Sequence, residues 1–225
     1  MLAHDPGAGW PDRPDRLHAL EDILATPRFA SLTRIDAPTA TRAAILRVHT
    51  LELLTRLEQA TPAQGTAQLG NDVVMNAGTL SAALHAAGGG VAAIEAVMRG
   101  QARNAFVATR PPGHHARAEA PMGFCFLNNA AIAARHARDA MGATRIAIVD
   151  FDVHHGNGTQ DIFWADGSVL FCSTHQAPYY PGTGGRSETG EHDTIVNAPL
   201  FAGASGDRSE EHTSELQSLR HLVCR

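Results

Sequence analysis

The sequence contains no lysine: all 18 of its basic residues are arginine. Against 23 acidic residues this leaves a net charge of -5, so nothing in the charge balance points to a nucleic-acid partner. Cysteine is nearly as scarce. Cys125, Cys172 and Cys224 stand at unrelated spacings and form no disulfide framework. No run approaches the roughly 18 consecutive apolar residues of a membrane span. The N-terminal stretch MLAHDPGAGWPDRPDR has no apolar core of signal-peptide length. Together these absences predict a cytoplasmic chain with no membrane contact. The 225 residues are 44% hydrophobic, enough for one sizeable core and one domain.

What is present begins with helical periodicity. Residues 16–24 place Leu17, Leu20, Ile23 and Leu24 on one face. Residues 39–57 carry a nearly continuous stripe of Ile45, Val48, Leu51, Leu54 and Leu57, read as one core-packing helix. Residues 78–98 are helical on both sides of Gly88, Gly89 and Gly90, which predict a break or a close packing contact. After Met98 the pattern changes. Residues 105–109 (AFVAT), 145–151 (RIAIVDF) and 168–173 (SVLFCS) read as short buried strands, and residues 128–141 as a helix capped by Asn128 or Asn129. Strands alternating with helices imply an α/β fold, with a mostly parallel sheet and helices on both faces. Sites in such sheets form at the carboxyl ends of strands, and two histidine-rich loops fall there.

The first loop is residues 110–115 (RPPGHH), where two prolines and a glycine stiffen the backbone that presents His114 and His115. The second is residues 150–158 (DFDVHHGNG). Asp152 and His154 are two apart, so on an extended segment they point the same way and suit zinc. Asp150 lies on the same side and is placed to orient an imidazole. Each loop also has a plain reading as a solvated surface turn, the acids capping the following helix. Cys125 reads as a packed small residue before a nucleophile. There is no Gly-x-Ser-x-Gly and no P-loop glycine pattern, so the two loops together favour metal-assisted hydrolysis.

Residues 110–116 (RPPGHHA), 123–134 (GFCFLNNAAIAA), 149–160 (VDFDVHHGNGTQ) and 180–184 (YPGTG) resemble, in order and spacing, the histone deacetylase and acetylpolyamine amidohydrolase family. The stretch PMGFCFLNN is more similar to bacterial histone-deacetylase-like amidohydrolases. The resemblance implies an arginase/deacetylase-like fold. It also implies that residues 1–207 are the N-terminal part of one catalytic domain, truncated at its C-terminal side. On this reading Asp152 and His154 are two of three zinc ligands, ferrous iron being the alternative metal. His114 pairs with Asp150. His115 pairs with Asn157, an amide that supports an imidazolium less than a carboxylate does, so His115 is expected to titrate low and act as the neutral base. In the implied mechanism zinc polarises the acetyl carbonyl and a water, His115 moves the proton, and His114 assists electrostatically.

Gly123, Phe124 and Tyr180 resemble the walls of a tunnel for an acyl-lysine chain, and Asp72 a rim acid that binds substrate backbone. Ser173 and Thr174, with Asp150, Asp152 and His154, resemble an inner potassium site. The implied substrate is an acetylated lysine side chain, or else an acetylated polyamine. A non-catalytic acyl-lysine or metal-binding module and an arginase-type binuclear hydrolase stand as alternatives. The third zinc ligand and a catalytic tyrosine are expected later in such chains, so the chain itself is expected to lack turnover. Residues 208–225 (RSEEHTSELQSLRHLVCR) resemble a translated sequencing adapter and are expected to be non-native.

Overall fold

The computed structural model describes residues 1–204; the segment expected to be foreign, 208–225, lies outside the described residues. The element order is α1 (Asp15–Leu24), α2 (Arg42–Ile45), α3 (Leu51–Ala60), β1 (Thr66–Gly70), β2 (Val73–Asn76), α4 (Thr79–Met98), α5 (Asn129–Asp139), β3 (Ile146–Asp150), α6 (Asn157–Phe163), β4 (Val169–Gln176) and β5 (Ile195–Leu200). β3, β4 and β5 form a parallel sheet in that order, and β1 pairs with β2 as an antiparallel hairpin. The α/β reading with a parallel sheet holds.

The expected helix over 39–57 is two helices. Thr41 caps α2 and Thr50 caps α3, each hydroxyl accepting from the backbone N–H three residues on (3.2 Å in both cases). The break has a cause in tertiary structure. Thr50 N–H donates to Ala118 O (3.0 Å), and the buried His49 reaches Arg117 O (3.0 Å) while accepting from Asn128 N–H (2.8 Å). The elbow thus braces the loop that follows His115. α3 buries Leu53, Leu54 and Leu57 against Val73, Met75, Phe126 and Ile132, forming the larger core.

α4 runs unbroken through its three glycines, which corrects the expected break and leaves the close-packing reading. A Cβ on Gly88 would sit 1.9 Å from Pro38 O and 2.6 Å from Ala40 N. Alanine in place of glycine gains about 1 kcal/mol in helix propensity, but backbone obstructs the methyl on two sides, and overpacking of that kind costs about 3 kcal/mol. Gly88→Ala is therefore expected to lower stability by about 2 kcal/mol net in chemical denaturation. By length and composition α4 could cross a membrane; in the fold it packs along α5 and buries Ala82, Ala83, Ala86 and Ala87.

Residues 105–109 are not a strand. They lie extended over the glycine notch of α4, Val107 near Gly89, with Phe106 exposed and no ladder partner among the described residues. The sheet proper is short and one-sided among the described residues. Ile146 and Ile148 of β3, with Val169 of β4, pack on Ala131 and Ala134 of α5 and Phe163 of α6. On the opposite face Val149 is exposed, as is Phe151 just beyond the strand. The register sets Asp150, at the carboxyl end of β3, beside Ser173 of β4, and Ser173 beside Asn197 of β5.

Candidate active site

The 110–115 loop and the loop after β3 meet above that edge. His114 Nδ1 lies 2.8 Å from Asp150 Oδ2, and His115 Nδ1 lies 2.7 Å from Asn157 Oδ1. The two rings are 4.0 Å apart. Each acceptor fixes a tautomer, because an oxygen that accepts at Nδ1 leaves Nε2 as the free lone pair. His115 therefore presents Nε2 as an acceptor. Burial, then the neighbouring His114, push its pKa down to about 4, outweighing the hydrogen bond that its Nδ1–H donates to Asn157 Oδ1. Asp150 behaves oppositely. Burial alone would raise its carboxyl, but the bond and charge of His114 hold it below the usual range. A carboxylate at position 157 would favour imidazolium more strongly than the amide does. Asn157→Asp is thus expected to raise the His115 pKa by about 1–3 units, read from imidazole shifts in an NMR titration.

Local backbone chemistry explains the convergence. Gly123 has φ 56°, and a Cβ there would stand 2.3 Å from the His115 ring, so only glycine lets the ring lie flat against this turn. Gly158 similarly admits the backbone of His115 and Ala116. Asn128 caps α5 through Oδ1 (3.0 Å to Ala131 N) and with its amide holds Ala116 O (3.1 Å).

Asp152 and His154 converge, though not along an extended strand as expected. β3 ends at Asp150, and the chain then turns through two side-chain-to-backbone bonds: Asp152 N–H to Asp150 Oδ1 (3.1 Å) and His154 N–H to Asp152 Oδ1 (2.8 Å). The second turn brings His154 Nδ1 within 3.2 Å of Asp152 Oδ1. A carboxylate and an imidazole at that separation are zinc donors in kind. Among the described residues no group of three His, Cys, Asp or Glu side chains could hold a metal ion. The acids do not cap α6, whose N-terminus has no side-chain cap.

Aromatic residues close over the site. Tyr180 stands edge-on to His115 (5.1 Å) and His154 (5.7 Å), and Tyr179 stacks on His154 (5.0 Å, 8° between planes). Asp72, in the β1–β2 turn, serves both walls. Its carbonyl accepts from Phe124 N–H (3.1 Å), and its Oδ2 accepts from Tyr180 O–H (2.7 Å). Burial, then that bond, push the Tyr180 phenol upward. Asp72 is thus already engaged on one carboxylate oxygen. Ser173 Oγ bonds His175 Nδ1 (3.0 Å), and neighbouring Thr174 is part-buried. Cys125 is fully buried, which raises its thiol and suits packing rather than nucleophilic attack.

Residues that the sequence reading did not single out support this arrangement. His155 is buried between Thr183 Oγ1 (2.7 Å) and Gln160 Oε1 (3.1 Å), and Gln160 also holds Glu188 (2.6 Å) and Asn197 (2.7 Å). The glycine and threonine of the YPGTG stretch were the available signal: a Cβ on Gly184 would strike the rings of His175 and His155.

The sequence profile of the histone deacetylase domain matches residues 10–218. The "Histone deacetylase-like amidohydrolase" of Pseudomonas aeruginosa is 35% identical over 221 residues, 96% of this chain and 56% of that protein. A "Probable deacetylase" of Archaeoglobus fulgidus is 40% identical over 212 residues, 92% of this chain and 58% of the relative. The crystal structure of the HDA15 HD domain superposes with a TM-score of 0.87 at 38% identity, covering 92% of this chain and 61% of that one. The chain thus spans little more than half the length of the two curated relatives. The profile match over most of the chain, together with these identities and the shared fold, shows that the chain belongs to the histone deacetylase family.

Proposed function

We propose that the protein is a zinc-dependent amidohydrolase that removes the acetyl group from acylated lysine side chains. One observation carries the reading: two adjacent imidazoles, each with its Nδ1 anchored, face an Asp–His donor pair. Asp152 and His154 would hold the metal, which when bound supplies Lewis acidity to the amide carbonyl and acidifies a water. His115, neutral and with Nε2 free, would take a proton from the attacking water and return it to the departing amine. His114, its Nδ1 proton held by Asp150, is oriented beside the reacting carbonyl and assists electrostatically. Phe124 and Tyr180 flank the methylene chain, and the aromatic cover excludes water. Asp150, Asp152, His154, Ser173 and Thr174 are the proposed potassium ligands behind the metal.

The test is acetate release by the full-length protein from an acetyl-lysine peptide, with and without added zinc, against an N-acetylated diamine as competitor; the 225-residue chain itself is expected to show none. Zinc-dependent release from the peptide supports the reading, and preference for the diamine shifts it to polyamine deacetylation. The two-donor metal pair favours one second reading, a non-catalytic acyl-lysine-binding module. Peptide binding without zinc-dependent release would establish that instead.

A further inference from the structure

Residues 3–12 form an arm whose two ends are fastened to the catalytic loop. Arg110, the first residue of that loop, is buried. Its Nε donates to Asp12 Oδ1 (2.7 Å), and its terminal nitrogens donate to Asp12 O (3.0 Å) and His4 O (3.0 Å). His4 is buried too, with Nδ1 at Thr79 Oγ1 (2.8 Å) and Nε2 at Asp12 Oδ2 (3.2 Å). Asn76 holds Ala3 O (2.9 Å). Between these anchors the arm bends through Gly7 and Gly9, both at positive φ, and delivers Trp10 two residues before Asp12. The Trp10 ring packs edge-to-face on Phe124 (5.8 Å, 82°). Phe124 itself sits at φ 63°, a left-handed conformation costly for a phenylalanine, so its ring needs support from both sides. Asp72 gives that support through the backbone, and Trp10 through the ring. Trp10 is only part-buried, and its indole N–H has no hydrogen-bond partner among the described residues. Indoles at recognition surfaces ordinarily use that N–H, so a free donor beside an apolar wall is available to a ligand.

We propose that Trp10 is a specificity-determining residue that recognises the peptide flanking an acyl-lysine. It extends the Phe124 wall outward and offers its N–H to a backbone carbonyl. Asp72 supplies the complementary acceptor for backbone N–H groups. The inference rests on the acyl-lysine reading above and goes beyond it: the site favours a peptide over an isolated acylated amine, and the arm is the reason.

Binding to the full chain, treated with a chelator so that no turnover intervenes, provides the test. Two probes are compared by calorimetry: a hexapeptide with a central Nε-acetyl-lysine, and capped Nε-acetyl-lysine alone. The chain has two tryptophans, so in a Trp164→Phe background Trp10 emission reports occupancy directly. The hexapeptide is expected to bind more tightly and to change that emission. Trp10→Ala should weaken hexapeptide binding about tenfold and the capped residue far less, a discrimination worth one hydrogen bond and one ring contact. Trp10→Phe, which keeps the ring, should recover only part of that loss. Equal losses for both probes would reduce Trp10 to a buttress of Phe124 and overturn the proposal, as would no loss at all. Failure of the unsubstituted chain to bind either probe would overturn the acyl-lysine reading itself, and the proposal with it.

Discussion

In the full-length, zinc-loaded protein, His115→Ala is expected to lower kcat on an acetyl-lysine peptide by about 100- to 10,000-fold, with KM nearly unchanged. The size follows from what the residue holds. Its ring is buried, its Nδ1 proton is committed to Asn157, and burial keeps Nε2 unprotonated down to about pH 4. His114, the other imidazole of the pair, faces the Asp152–His154 donors instead. The Nδ1 of His114 is committed to Asp150, and its Nε2 lies 4.0 Å from Asp152 Oδ1, toward the metal pair. His114→Ala should therefore cost less, because it removes charge stabilisation and leaves a base in place. The two variants give different pH profiles. Without His115 the rate should rise with pH as hydroxide takes over proton removal, whereas without His114 the acid limb should persist. A His115→Ala enzyme that kept kcat and lost only KM would make His115 a binding residue and end the proposed proton-transfer role.

The fold should also lose stability steeply below pH 6.5. Burial holds His49 and His155 neutral, each pushed down from 6.5 to about 4. For His49 the cause is visible: Asn128 N–H donates to its Nε2, so a proton there would have no acceptor. In the unfolded chain both rings titrate normally. Between pH 6.5 and 4 the unfolded state thus binds protons that the native state refuses, and stability falls as pH falls through that window. The loss levels off near the folded value. Each histidine contributes at most about 3.5 kcal/mol, since one pKa unit corresponds to about 1.4 kcal/mol. The carboxylates held low, Asp12, Asp150, Asp166 and Glu188, act in the same direction but at lower pH, because their ordinary values lie near 4. Urea denaturation at pH 7.5, 6, 5 and 4.5 separates the two sets. A flat unfolding free energy across that series would show that these rings open to solvent before they titrate. His49→Gln should flatten part of the decline.

The parts of the structure that could be read from the sequence are those governed by local signals. Asn128 announced its cap, β3 announced itself as an apolar run ending at a histidine-rich loop, and β4 as an apolar run. The helix over 39–57 failed because its stripe continues smoothly across His49. The elbow there is imposed by Asn128 and Ala118, residues some seventy positions away. Residues 105–109 have strand composition, yet a strand exists only through a ladder, and no neighbour supplies one among the described residues. The β1–β2 hairpin went unread because its strands are only five and four residues long. Within the site, motif order pointed to His114, His115, Asp150 and Asn157, which the fold brings together. The Asp152–His154 convergence was expected from strand geometry and arises from a turn instead. His4, Trp10 and the other anchors of the arm carry no motif. Their partner, Arg110, is about a hundred residues distant, and only the folded chain joins them.

Asp72 leaves Phe124 and Tyr180 without independent adjustment. Its carbonyl positions Phe124 and its carboxylate positions Tyr180, so a substitution on either side is felt through the other. The bridge makes the mouth an epistatic unit. Changes at 72, 124 and 180 should combine non-additively, and drift in this family should tend to alter them in concert. A library that varies one wall at a time would therefore miss most of the accessible acyl-chain preferences, whereas one that varies the three positions jointly would sample them.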